Sequence, residues 1–239
     1  MEGFSQRFGR YDARFKQSIT NRHTLWLHAV SVGEVNLCTQ LIKALEPRLP
    51  NTKFIVSTTT TTGMGELHKK LPPHIAKIYY PIDRQLFVRR ALSVIAPEAI
   101  VLVEAEVWPN FIWRAKALNI PLFLVNARLS DRSYRGYKRW AGLFQPLFAA
   151  FTAVGVQNEA DATRVREVGC EQQELAHRVI GRQLTQPHLA LGEMRAALGP
   201  EQIRRIATRA GGDLFGRHHP YGSGDCHRVM RSSGPSGPW

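Results

Sequence analysis

The chain has 239 residues, with 32 Lys and Arg against 19 Asp and Glu, a formal charge of +13, and 44% hydrophobic residues. A mainly disordered chain carries less apolar material, and a collagen-like or disulfide-scaffold chain far more Gly or Cys, so those classes are excluded. The charge points to an anionic partner, whether phosphate, nucleic acid or acidic lipid, without choosing among them.

The apolar runs fall in a regular order. LWLHAV (25 to 30), KFIVS (53 to 57), AKIYY (76 to 80), AIVLV (99 to 103), PLFLV (121 to 125) and TAVGV (152 to 156) each have the length and β-branched or aromatic character of a buried strand. Between them lie stretches of helical periodicity, such as Leu37, Leu41, Ile42 and Leu45, and later Ala162, Val165 and Val168. Pro109 suits a first helical turn, Asn158 with Asp161 reads as an N-cap with a first-turn carboxylate, and Gly169 sits where a C′ glycine ends a helix. Continuous apolar strands alternating with helices predict an α/β fold, a Rossmann-like doubly wound parallel sheet covered on both faces.

Residue usage changes near position 170. All eight lysines lie at or before Lys138, whereas 171 to 239 hold nine arginines, five of nine histidines and no lysine. The expected organisation is a Rossmann-like domain over 1–181, a short helical segment over 182–210 and a disordered tail over 211–239, too poor in aliphatic residues to offset its ordering entropy. His218 and His219 belong to that tail. Cys38, Cys170 and Cys226 are widely spaced and read as structural thiols in a reducing compartment. No apolar run approaches the roughly 18 to 20 residues that span a bilayer, and the first residues lack a signal-peptide core, so a chain neither secreted nor integral is expected.

In open α/β sheets ligands bind beyond the carboxyl ends of the strands, and those positions are polar here. They are Ser31, Gly33 and Glu34 after the first run, and Thr58, Thr59, Thr60, Thr61 and Thr62 after the second. Asp83 follows the third, Glu104 and Glu106 the fourth, Asn126 and Arg128 the fifth. Glu34, where a tight glycine turn opens a helix, reads either as a general base facing a cleft or as a carboxylate stabilising the helix dipole. The threonine run reads either as a phosphate or sugar cradle or as a capped helix start; GxxxxGK[ST] is absent. Glu104 and Glu106 call for solvation or a partner, with Arg128 the candidate. Arg128, Arg132, Arg135, Lys138 and Arg139 interleave with Tyr134, Tyr137 and Trp140, which suits a phosphorylated, partly apolar ligand at a membrane surface, nucleic acid, or a solvated helix face. His28 lies inside a strand and reads as a hydrogen-bonded core histidine rather than a ligand. No metal-binding pattern is found.

Taken together, LWLHAVSVGEVN, STTTTTGM, YYPID, VEAEVWPN, NARLSDRSYRGY and GVQNEADATRVREVG resemble the amino-terminal half of the bacterial 3-deoxy-D-manno-octulosonic acid (Kdo) transferases over about residues 3 to 181. The resemblance implies a GT-B glycosyltransferase whose amino-terminal Rossmann-like domain binds the lipid A precursor (lipid IVA) and whose carboxyl-terminal twin binds CMP-Kdo, without metal or other cofactor. It implies Glu34 as the general base and Glu104 as support for the transition state. The candidate acceptor contacts are then Ser31, Gly33, Thr58 to Thr62, Asn126, Arg128 and Arg132, and the place of action is the cytoplasmic face of the inner membrane.

Three departures from the family's pattern accompany this. The family's apolar anchor ahead of GFSQRFGRY is missing, VIGRQLTQP near residue 181 carries Arg182 and Leu184 but no lysine, and the CMP-binding segments are absent. A truncated or frameshifted product with little activity alone is the expectation. The rival reading is a non-catalytic module that docks anionic lipid. A nucleic-acid partner is set aside, since no helix-turn-helix, RNP or zinc pattern occurs and strand-end carboxylates repel phosphates.

Overall fold

A computed structural model describes residues 3–104, 107–170 and 174–177. The segments expected as a helical stretch over 182–210 and as a tail over 211–239, together with Glu106, lie outside the described residues.

The first described residues include a short 3-10 turn, Phe4–Phe8, and a helix α1, Ala13–Ile19, capped by Asp12, whose carboxylate accepts from Phe15 N at 2.7 Å. Six βα-type steps and a seventh strand follow: β1 (His23–His28), α2 (Val32–Leu45), β2 (Thr52–Thr58), α3 (Thr61–Lys70), β3 (Ala76–Tyr79), α4 (Gln85–Ile95), β4 (Ala99–Val103), α5 (Pro109–Ala117), β5 (Leu122–Ala127), α6 (Asp131–Arg139), α7 (Ala141–Phe148), β6 (Ala153–Val156), α8 (Glu159–Glu167) and β7 (Glu174–His177). The six apolar runs are the first six strands. The seventh, ELAH, carries too few β-branched or aromatic residues to announce itself.

The strands form one all-parallel sheet in the order β3-β2-β1-β4-β5-β6-β7. This is an α/β Rossmann-like sheet whose order reverses between β1 and β4. Side chains alternate across it. Trp26, Ile55, Ile78, Ile100 and Leu124 face the layer that contains residues of α1, α4, α5, α7 and α8, whereas Leu25, Leu27, Val56, Val101 and Phe123 face α2 and α3. Both faces are dry, which explains why the strands read as unbroken apolar runs rather than alternating ones.

Helix ends follow the sequence signals. Pro109 opens α5 in its first turn, Asn158 Oδ1 accepts from Asp161 N at 2.8 Å, and Gly169 adopts φ 127° just past α8. The glycine turn expected before Glu34 is corrected: Ser31 is the N-cap and Gly33 already lies inside α2. A Ser-x-x-Glu start needs no left-handed glycine.

Candidate active site

The switch point sets the ends of β1 and β4 side by side, with His28 opposite Leu102. A crevice at the carboxyl ends of these two strands is where an open α/β sheet takes its ligand. Glu34 stands at one lip and Glu104 at the other.

Glu34 is held by a reciprocal capping box. Ser31 Oγ accepts from Glu34 N at 3.2 Å, while the carboxylate accepts from Val30 N at 2.7 Å (Oε2) and from Ser31 N at 3.2 Å (Oε1). The side chain is only 6% exposed. Each oxygen spends one acceptor position on the backbone and keeps another, so the cap and a proton-accepting role are compatible. The two backbone bonds fix where the free lone pairs point, and a base fixed in place needs no reorientation at the moment of reaction.

Glu104 is strained and poorly solvated. It takes φ 63°, a left-handed conformation that costs a non-glycine residue roughly 1–2 kcal/mol, and its N–H donates to Val125 O at 2.9 Å. Its carboxyl is held above the ordinary glutamate range, first by burial and then by the negative charge of Glu34, with Arg128 opposing. Glu34 and Arg128 therefore both act on Glu104. No ion pair within 4.0 Å joins Glu104 to Arg128, so the expected partner acts through space, and Arg128 stays exposed. Asn126, at the end of β5, is also left-handed (φ 57°), beside a register shift between Leu124 and Ala127. Strained residues at adjacent strand ends are a common mark of functional rims.

The loop after β2 divides into a buried and an open part. Thr58 is fully buried, and its hydroxyl finds no hydrogen-bond partner, whereas Thr60, Thr61 and Thr62 face solvent at the start of α3. Thr60 Oγ1 accepts from Gly63 N at 2.9 Å as the cap. Arg7 donates to Thr59 O at 2.6 Å from above the Tyr79 ring, 4.6 Å away, so the amino-terminal turn steadies this loop. Ser31 and Gly33 are exposed on the neighbouring helix start.

Two acids support the rim in ways that their sequence positions, a strand end for Asp83 and a first helical turn for Asp161, did not specify. Asp83 caps α5 from outside: its carboxylate accepts from Phe111 N at 2.9 Å and Asn110 N at 3.1 Å, and Asn110 Nδ2 donates to Asp83 O at 2.8 Å. An acid just past a strand, with no cap site of its own in the following helix, was the available signal. Asp161, 3% exposed, accepts from Leu129 N at 3.1 Å, and Arg164 donates to Leu129 O at 2.6 Å and to Asp131 at 2.5 Å. Through them α8 holds the Arg128 to Asp131 segment against the rim.

Within the basic cluster, Lys138 pairs with Glu167 at 2.8 Å, and Tyr134 donates to the same carboxylate. Arg132, Arg135 and Arg139 are exposed on α6. His28 is fully buried, with Nδ1 2.9 Å from Ser57 Oγ, and burial lowers its pKa to about 3, so the ring is neutral. Among the described residues no cluster of three or more His, Cys, Asp or Glu is arranged to hold a metal ion, and no helix is long and apolar enough to cross a membrane.

Residues 2–181 match the family model described as 3-Deoxy-D-manno-octulosonic-acid transferase (kdotransferase). The chain is 35% identical over 149 residues to the 3-deoxy-D-manno-octulosonic acid transferase of Rickettsia bellii, covering 62% of this chain and 35% of the relative. It is 28% identical to the Haemophilus influenzae transferase, covering 63% and 35%, and 34% identical to a probable mitochondrial one of Arabidopsis thaliana, covering 59% and 32%. The chain thus spans about a third of the length of these relatives. Among solved structures it is similar to a Staphylococcus aureus MnaA-UDP co-structure, with TM-score 0.48 and 13% identity over 64% of this chain and 43% of that one.

Proposed function

The chain belongs to the 3-deoxy-D-manno-octulosonic-acid transferase family, and from that premise we propose that it is the acceptor-binding part of an enzyme moving Kdo from CMP-Kdo to lipid IVA in lipopolysaccharide biosynthesis. In this reading the sheet is one half of a GT-B arrangement, and the donor is held by the length of the relatives that this chain does not span. The work is done at the cytoplasmic face of the inner membrane, where the lipid acceptor resides.

The chemistry is a displacement at the anomeric carbon of Kdo. The acceptor's 6′-hydroxyl oxygen forms the new bond, the bond from that carbon to the CMP phosphate oxygen breaks, and CMP leaves with the electron pair. Glu34 takes the hydroxyl proton on a free lone pair of its carboxylate. Glu104, across the crevice, supports the transition state; two carboxylates in different environments on one cleft are a recurrent arrangement for dividing such roles. Arg128 and Arg132 are offered to the acceptor's phosphates, with Ser31, Gly33, Asn126 and the exposed threonines Thr60 to Thr62 lining its sugar. The observation that carries the proposal is the Glu34 carboxylate, fixed by Val30 N and Ser31 N at the switch point and within the field of Glu104.

The test joins this chain's residues 1–177 to the remaining length of the R. bellii relative and follows transfer of labelled Kdo to lipid IVA. Glu34→Gln should lower kcat about a hundredfold or more while leaving acceptor binding in place, as loss of a general base does. Undiminished turnover in that variant would refute Glu34 as the base.

A further inference from the structure

The amino-terminal turn is seated firmly where β3 leaves the edge of the sheet open. Gln6 Oε1 accepts from Tyr79 N and Arg7 O from Ile82 N, each at 2.9 Å. Phe8 meets Phe87 of α4 edge to face, with ring centroids 5.2 Å apart. Gly9, at φ 67°, lies so close to α4 that a Cβ there would come within 2.7 Å of Phe87 O and of Arg90 Cβ. From this seat the Arg7 guanidinium crosses the buried Tyr79 ring and donates to Thr59 O at 2.6 Å. One residue thus grips two neighbouring strand-end loops, the one after β2 with its side chain and the one after β3 with its carbonyl.

The grip leads by direct contacts to Glu34. Thr59 precedes Thr60, whose hydroxyl accepts from Gly63 N at 2.9 Å. Gly63 packs on the β1–α2 loop, where an added Cβ would stand 3.2 Å from Val30 O. Val30 N in turn donates to Glu34 Oε2 at 2.7 Å. Among the described residues, the Arg7 bond is the one hydrogen bond that reaches Thr59 to Thr62 from another part of the chain. Arginine suits the task because its planar group stacks on a ring and donates in its own plane at the same time, and a charged donor makes a stronger bond than a neutral one.

We propose that Arg7 is a positioning residue for the acceptor side of the crevice. By tying Thr59 O to the amino-terminal turn it sets where the hydroxyls of Thr60 to Thr62 stand, and it steadies the Val30 loop whose N–H orients Glu34. It touches neither the acceptor nor the reacting atoms. The inference rests on the reading above that this rim takes lipid IVA, and it adds the device that holds the β2 side of that rim, as Asp161 and Arg164 hold the Arg128 side.

Three variants of the whole chain test it. Arg7→Met keeps an apolar stem over Tyr79 and donates nothing, Arg7→Lys keeps the charge and a donor, and Gln6→Ala removes the other side-chain bond of the same turn without touching Thr59. Each is followed by hydrogen exchange at the Gly63 and Met64 amides, by calorimetric titration with lipid IVA in detergent micelles, and by its urea midpoint. Arg7→Met should speed the exchange about tenfold or more and weaken lipid IVA binding about tenfold, the loss expected of one bond from a charged donor, with Arg7→Lys between it and the wild type. Gln6→Ala should lower the urea midpoint yet leave loop exchange and lipid IVA affinity near wild type. A turn that served stability alone would make Gln6→Ala and Arg7→Met alike in all three measurements, and that result overturns the proposal. So does unchanged loop exchange in Arg7→Met, or a loosened loop with undiminished lipid IVA affinity. If Arg7→Met does not fold, Arg7→Lys must still shift both loop exchange and affinity, and a lysine variant identical to the wild type overturns the role. A wild-type chain that holds no lipid IVA overturns the acceptor reading and this role with it, and the exchange measurements tell that failure from a failure of the Arg7 tie.

Discussion

Two glycines of α3, two residues apart, should respond to alanine with opposite signs. At Gly65 an added Cβ meets no atom within 4 Å, so alanine should bring the usual gain of a helix interior, roughly 0.5–1 kcal/mol. At Gly63 the same atom would fall under 3.0 Å from both Thr58 Oγ1 and Thr60 Oγ1 and 3.2 Å from Val30 O. Neither hydroxyl can yield easily: Thr58 is fully buried at the end of β2, and Thr60 is the cap that accepts from Gly63 N. The helix must therefore back away from the β1–α2 loop. Overpacking of this kind costs about 1–3 kcal/mol, and after subtracting the helical gain Gly63→Ala should be destabilised by up to about 2 kcal/mol. Urea unfolding of the two variants, followed by circular dichroism, measures both. Adding Thr58→Ala to Gly63→Ala removes one of the clashing atoms, so the pair should be more stable than the sum of the single changes by about 1 kcal/mol. A Gly63→Ala protein as stable as Gly65→Ala would refute the close approach of α3 to the Val30 loop, and with it the geometry that positions Glu34.

Glu104→Gln should stabilise the domain near neutral pH. The folded state raises the affinity of this carboxyl for its proton, so the native protein loses stability as pH climbs above the ordinary glutamate range; the gain from glutamine should shrink toward about pH 4, and a gain independent of pH would discount the electrostatic cause. Asp83→Ala should cost about 1–2 kcal/mol by uncapping α5, visible as a lower urea midpoint, and Asp83→Asn should recover part of it because one oxygen remains to accept. Glu34→Ala should cost about 0.5–2 kcal/mol through loss of the capping box, in addition to any loss of transfer; an unchanged midpoint would mean the Val30 and Ser31 bonds contribute nothing.

The strands were legible because both faces of the sheet are buried. Leu25, Trp26 and Leu27, or Ala99 through Val103, have no solvent side to punctuate them, and an unbroken apolar run of five is what such burial demands. Capping chemistry was legible at Asn158 and Pro109 because a single residue type answers a local need. What escaped depends on distant partners. The turn Phe4–Phe8 and α1 read as polar sequence and become ordered through Phe8 against Phe87, Gly9 against Arg90 and Ala91, and Tyr11 and Ile19 in the core. β7 is an edge strand defined by pairing with β6 rather than by composition. The site divides in the same way. Glu34 and Glu104 stand out as acids at strand ends, but the strand order that makes them neighbours is set by two crossovers. The Arg128 pairing expected from the next strand end gives way to a longer-range influence, because the loop bearing Arg128 is tied to α8 instead.

The distribution of strain along the rim follows from where the fold can tolerate it. Between β1 and β4 the crossovers diverge to opposite sides, so no helix covers the strand ends there, and residues at those ends are free to be chosen for chemistry instead of packing. Glu104 and Asn126 take left-handed backbones and Glu104 keeps a carboxyl that both burial and Glu34 disfavour when ionised. Each is held from behind: Glu104 N–H by Val125 O, the Asn126 carbonyl by the side chain of Gln157 at 3.3 Å, the following loop by Asp161 and Arg164, and the start of α5 by Asp83. Buried or half-buried acids that accept backbone N–H groups thus fix the loops, while acids left short of partners face the crevice. Among the described rim acids, Asp83 and Asp161 are positioning residues, and Glu34 fixes a loop in the same way while being the acid proposed above as the base. It caps α2 with bonds that leave its remaining lone pairs to the cleft.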